Sequence, residues 1–474
     1  MNRRNMLKAV GASTTIGLAG CIADDAGDED DQDSIDEWGD RLVSHAEEAD
    51  IDWQQFEGET LVFGMNEHAF TDLMENFIPH FEELTGMDLE FQTFPEDELW
   101  QRVVLDLENQ SGNFDGFFTG LWPSADYYHG EWVKDLNEYL EDPELTDQEW
   151  FAMDDFSDGI IDSLTYGEEE ALVGMPFGVE AYGAIAYDEP TFDELGIDPP
   201  ETYEELVEAA RTIDESDETD RMGIASRAST DPLSTANWAT MFRSYGAEWI
   251  DYEEREARLD SEEGVESLEV FSELMSYGPD DIGNFDWYRS NLAMGEGDVA
   301  MALHTPSAIG VWDDEQLERT EWIPPLPGPD GEQIAAPWTW SLGISEYSRN
   351  PEAAWLFIQF SISREANLLS SIRAWEGAES YGWAREGYVF DQDEWEEHGI
   401  KDSWVEAHTQ GLDMVPSNPP AVPLDTPQNM DIMSEAALAM NSAVTGESSP
   451  EEALSSAASE ITEYAQDIPE EYIE

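Results

Sequence analysis

Residues 59–94, ETLVFGMNEHAFTDLMENFIPHFEELTGMDLEFQTF, read as a strand, a helix and a second strand. Thr60–Met65 is a short apolar run that suits a buried strand. Phe70, Leu73, Met74, Phe77, Ile78, Phe81 and Leu84 then recur at helical spacing, and Gly86 supplies the stop. Leu89–Phe94 returns to strand character. A helix around Leu99–Leu107 and a strand at Phe114–Phe118 complete a βαβαβ series. That alternation predicts an open, mostly parallel α/β sheet. Ligands on such sheets bind beyond the carboxyl ends of the strands. The loops Asn66-Glu67-His68 and Thr119-Gly120-Leu121-Trp122 are therefore the first candidates for a site.

A second unit starts near Tyr187. Thr202-Tyr-Glu-Glu205 has the pattern of a capping box, and Tyr203, Leu206, Val207, Ala210 and Ile213 share one helical face. Leu268, Phe271, Leu274 and Met275 form another such face. Val299–His304 and Thr339–Ile344 read as strands. Asn350-Pro351 and Ser449-Pro450 open helices, and the proline-rich stretch 416–427 is irregular.

Composition bounds the setting. Acidic residues number 110 against 19 basic ones, a net charge of −91. Such a body repels itself in dilute buffer, whereas at about 1 M salt the Debye length falls to about 3 Å. The charge implies work in concentrated salt and argues against nucleic-acid partners. Disorder is excluded, because 41% hydrophobic residues and 18 tryptophans are ample for a core. The one cysteine, Cys21, permits no disulfide within the chain.

Cys21 ends a leader. Arg3, Arg4 and Lys8 precede an uncharged run of small and apolar residues from Ala9 to Gly20, too short to span a membrane, which needs about 20 residues. Residues 1–20 resemble a twin-arginine export signal, and Leu18-Ala19-Gly20-Cys21 resembles a lipobox whose cysteine carries the lipid. Stable anchoring would take a double-chain lipid. Residues 21–57, opening on the acidic run Asp24–Glu37, are expected to form a tether.

Several later stretches carry a wider resemblance: Leu172–Asp188 (LVGMPFGVEAYGAIAYD), Phe192–Glu205 (FDELGIDPPETYEE), Asn291–Met301 (NLAMGEGDVAM), Pro325–Pro329, Trp340–Ser345, Asn350–Ile358 and Gly411–Ile461. Together they resemble the extracellular solute-binding proteins of ABC importers, the family that includes the maltose-binding proteins, in a form suited to salt-loving archaea. The resemblance implies a type II periplasmic-binding-protein fold, in which two α/β lobes joined by crossing strands close on a ligand between them. It sets the lobes at 58–180 with 300–342 and at 181–299 with 343–474, with crossings near 175–185, 300–305 and 340–345. It implies a monomer held by lipid on the outer face of the cytoplasmic membrane, delivering a sugar or oligosaccharide to a permease whose separate ATPase supplies the energy. No phosphate-cradling GxxxxGK[ST] loop occurs in this chain.

Pro176-Phe-Gly-Val-Glu-Ala181 matches the segment that supplies a cleft glutamate in maltose-binding proteins, so Glu180 is the leading polar candidate. Sugar sites set flat aromatic faces beside planar polar groups. Tyr182, Trp122, Trp338 and Trp340 are the aromatic candidates, followed by Trp287 and Trp375, with Glu67 and His68 in the first loop. One departure stands out. Where maltose-binding proteins carry a stacking tryptophan after Gly-Pro, this chain has Thr305-Pro306-Ser307, which argues against maltodextrin itself. The same fold binding a polyol, a glycerophosphodiester or a peptide, and an exported polysaccharide-acting enzyme, remain alternatives. No cofactor or metal is expected: the seven histidines are scattered and no GxSxG elbow occurs. Asn109-Gln110-Ser111 is a glycosylation sequon.

Overall fold

The computed structural model describes residues 29–167, 169–312, 314–376, 384–385, 398–415, 423 and 426–472. The leader with Cys21, and most of the proline-rich stretch 416–427, lie outside the described residues. Among the described residues the nine longer strands are β1 (Thr60–Asn66), β2 (Asp88–Phe94), β3 (Gly116–Gly120), β4 (Met175–Tyr182), β5 (Ala184–Asp188), β6 (Met222–Ala225), β7 (Val299–His304), β8 (Thr320–Ile323) and β9 (Ala336–Ile344). They form two sheets, ordered β2-β1-β3-β9-β4 and β8-β5-β7-β6. β1, β2 and β3 are parallel, as the βαβαβ pattern predicts, and β9 runs antiparallel to both β3 and β4.

The helix expected over 70–84 is two helices, Ala69–Glu75 and Ile78–Thr85. Pro79 sits in the first turn of the second, where its missing N–H costs nothing, and the chain re-enters the helix there. In the second lobe Tyr203, Leu206, Ala210 and Ile213 are buried on one helical face, and so are Leu268, Phe271, Leu274 and Met275. Thr202 caps its helix by accepting the Glu205 N–H. The Glu205 carboxylate reaches the Glu201 N–H instead of closing the box, whereas Ser449 and Glu452 make the full reciprocal pair.

The chain changes sheet directly between β4 and β5, through Gly183. That residue has φ +109°, and its N–H donates to the His304 carbonyl at 3.0 Å. Thr240, on the helix Ala236–Ser244, donates its hydroxyl to the Tyr182 carbonyl at 2.9 Å and accepts the Ala336 N–H at 3.1 Å. One side chain thus clamps β4 and β9 together at the hinge.

Three boundaries differ from the expected ones. β7 does not cross between lobes; it pairs with β5 and β6, so 300–323 belongs to the second lobe, and the return crossing is the segment 324–335 before β9. The helix Pro351–Ser361 belongs to the first lobe, where Phe357 packs on Phe63 at 4.9 Å and on Phe81 at 5.4 Å. The expected tether is also shorter. Glu29–Ala46 is a helix, and Leu42, Ala46, Ala49 and Trp53 are buried in the first lobe, with the Trp53 indole donating to the Ala46 carbonyl. Among the described residues no helix is long and apolar enough to cross a membrane.

Candidate functional site

β4 and β9 run side by side up to the hinge, and their register decides what faces the cleft. Glu180 lies opposite Trp338, and Tyr182 opposite Ala336. Directly paired residues share a face of the sheet. The carboxylate and the indole are therefore neighbours by construction.

Trp338 and Trp340 alternate onto that face and join Trp122, which follows the end of β3. Trp122 and Trp338 stack at 5.1 Å with 10° between their planes, and Trp340 meets Trp122 edge-on at 5.5 Å. Trp100 closes the cluster, edge-on to Trp122 at 4.8 Å. The ladder makes room for these rings with glycine: Trp340 pairs with Gly178 on one side and Gly120 on the other. A Cβ on Gly120 would lie 2.5 Å from the Trp122 ring.

His68 borders the same wall, 5.9 Å from Trp340 and 4.0 Å from Phe70. Its Nδ1 accepts the Phe70 N–H at 3.3 Å and so caps the helix that follows β1. Burial pushes its pKa down to about 4, which keeps the ring in the neutral form that this cap requires. Glu67, beside it, is exposed to solvent rather than drawn into the cluster.

The polar end of the site centres on Glu180. Ser307 donates to its Oε1 at 2.8 Å and Tyr182 to its Oε2 at 3.0 Å. Arg227 in turn donates from Nη1 to the Tyr182 hydroxyl at 3.2 Å and approaches Asp231 at 3.8 Å. Burial raises the Glu180 pKa, while Ser307, Tyr182, Arg227 and the Trp287 side chain pull the other way. Burial, with Glu180 beside it, lifts the Tyr182 phenol well above its ordinary range, so it remains a donor. Trp287 opens the helix Trp287–Gly295 and faces His304 edge-on at 5.9 Å.

Seven of the nine candidates thus lie together about the β4–β9 pair: Glu180, Tyr182, Trp122, Trp338, Trp340, His68 and Trp287. Trp375 is one layer back. It packs on Trp404 at 5.1 Å, whose indole donates to the Pro306 carbonyl and so braces the segment bearing Ser307. Sequence reasoning missed Arg227, His304 and Trp100. Ser307 was visible only as a departure from the family pattern. Arg227 had one usable signal, a cation in a chain with 19 basic residues.

Among the described residues no group of three or more histidine, cysteine or acidic side chains is placed to hold a metal. The arrangement sets a flat apolar wall beside a carboxylate with hydroxyl neighbours. That combination suits a neutral solute with C–H faces and several hydroxyls.

Residues 66–368 match the model of the bacterial extracellular solute-binding protein family. An erythritol/L-threitol-binding protein from Mycolicibacterium smegmatis is 26% identical over 340 residues, covering 67% of this chain and 69% of that protein. A mannitol-binding protein from Pseudomonas aeruginosa is 25% identical over 307 residues, covering 61% of this chain and 66% of that protein. A solute-binding protein from Agrobacterium radiobacter K84, solved with ribitol, superposes with a TM-score of 0.70 at 20% identity, covering 86% of this chain and 99% of that one. One from Agrobacterium vitis S4, solved with D-mannitol, gives 0.69 at 19%, covering 87% and 100%. These neighbours establish the type II two-lobed binding-protein architecture. With its own lobes, hinge and matched segment, the chain belongs to the bacterial extracellular solute-binding protein family.

Proposed function

We propose that this chain is the substrate-binding component of an ABC importer, capturing a sugar or polyol between its lobes and delivering it to a membrane permease with a separate ATPase. The observation that carries this reading is the pairing of Glu180 with Trp338 across β4 and β9, with Ser307 and Tyr182 already hydrogen-bonded to the carboxylate. The polyol-binding relatives support it, and Ser307 in place of a stacking tryptophan favours a small polyol or monosaccharide over a maltodextrin. The twin-arginine-like leader and Cys21 support export and lipid anchoring on the outer face of the cytoplasmic membrane. The net charge of −91 supports a setting of concentrated salt.

The test is calorimetric titration in molar salt against alditols, monosaccharides, maltodextrins, a glycerophosphodiester and a peptide mixture. Tight binding of an intact sugar or polyol is expected. Binding of only the phosphodiester or peptide, or turnover of a saccharide, would overturn the reading.

A further inference from the structure

Beside Glu180 and Tyr182 lie two side chains with polar atoms left unmatched, His304 and Arg227. His304 ends β7 with no exposed surface; the Trp287 backbone reaches its ring, which leaves one imidazole nitrogen unmatched among the described residues. Arg227 is 5% exposed, and its Nε likewise has no partner. Both flank one ring: His304 lies 6.0 Å from that of Tyr182, and the Arg227 guanidinium 5.8 Å from it. A buried donor or acceptor left unmatched costs about 1–3 kcal/mol. Two such atoms beside one ring, an imidazole nitrogen and the Arg227 Nε, point to a partner that arrives with the ligand.

The chemistry of that partner follows from the groups. Burial, reinforced by Arg227 and opposed by a hydrogen bond to the Trp287 backbone, pushes the His304 pKa down to about 3, so the ring is neutral, with its N–H given to that backbone and its other nitrogen left as an acceptor. The Nε–H of Arg227 is a further donor. A hydroxyl suits both, giving its hydrogen to the imidazole acceptor and receiving the Arg227 N–H on its oxygen. A carboxylate could not donate to the imidazole and would lie close to Glu180. His304 is crowded, with the Tyr182 and Trp287 ring centroids 6.0 and 5.9 Å away. A slender group such as a single CH2OH suits so crowded a place better than a sugar ring.

We propose that His304 and Arg227 bind the terminal hydroxymethyl group of the solute, beside Tyr182 and Trp287, and so select for ligands carrying a primary hydroxyl. This rests on the reading of the Glu180 cleft as a site for neutral polyhydroxylated solutes.

The experiment compares the tightest-binding alditol with its analogue lacking both terminal hydroxyls, on the full chain and on His304→Phe, by titration calorimetry in molar salt. The unsubstituted chain is expected to bind the deoxy analogue at least about tenfold more weakly, and His304→Phe to bind the two alike. His304→Asn, which keeps a donor and an acceptor, is expected to retain most of the discrimination. Equal binding of both ligands by the unsubstituted chain overturns the proposal without needing any variant to fold, as does undiminished discrimination by His304→Phe. If no alditol or sugar binds at all, the reading of the cleft fails and this proposal falls with it; if they bind without discrimination, this proposal fails alone.

Discussion

Glu180→Gln separates recognition from folding. The substitution keeps the shape of the side chain and one carbonyl oxygen, but removes the charge held between Ser307 at 2.8 Å and Tyr182 at 3.0 Å. Hydrogen bonds to a charged group contribute about 1.5–3 kcal/mol, against about 0.5–1.5 for neutral ones. Two ligand hydroxyls on the carboxylate would therefore lose about 2–3 kcal/mol together, roughly 30- to 160-fold in Kd. Stability should move the other way. The folded pKa of Glu180 lies above its unfolded value because of burial. Ionisation of the buried carboxylate therefore opposes folding, and removing the charge relieves that cost. The amide then faces one hydroxyl with an N–H, and Ser307 can rotate to accept it. The assay is titration calorimetry beside chemical denaturation, both in molar salt. The expected result is weak binding with unchanged or raised stability. A Kd within about twofold of the unsubstituted chain across the whole panel would refute the reasoning.

Three further outcomes follow from the same structure. Gly183→Ala should destabilise by at least about 2 kcal/mol, since alanine is strained at φ +109° and its Cβ would lie 2.3 Å from the Thr240 methyl carbon; denaturation midpoints measure this. Dialysis from molar to millimolar salt should unfold the chain, because −91 charges are then unscreened, and circular dichroism that stays native would contradict it. His304 has a folded pKa of about 3 against 6.5, so its stabilising neutral form is fully felt above pH 6.5 and that contribution is lost as pH falls below it, at about 1.4 kcal/mol per unit. The stability difference between the unsubstituted chain and His304→Phe should accordingly shift by about 2 kcal/mol between pH 6.5 and 5, and a constant difference would refute it.

The readable parts of the sequence were those where one element carries its own pattern. β1 to β3 and the faces around Leu206 and Phe271 announce themselves by period, and Trp338 and Trp340 sit two apart on one strand. The lobe boundaries were not legible, because β7 is buried along all six residues and such a run pairs equally well in either sheet. Only the contacts with β5 and β6 assign it. The helix Glu29–Ala46 was hidden by composition. Its apolar positions, Trp38, Leu42 and Ala46, are spaced one turn apart, but the acidic residues around them read as a tether. Arg227 lies far in sequence from His304 and Ser307, which sit three residues apart after β7, and the two segments meet only beside the hinge, so no local spacing could bring Arg227 to them.

The most direct test of the account is a crystal structure of the chain with the solute that binds it most tightly. The ligand is expected between the lobes, its hydroxyls on Glu180 and its carbon face against the wall of Trp122, Trp338 and Trp340. A ligand bound elsewhere, or one in the cleft touching neither Glu180 nor that wall, would contradict it.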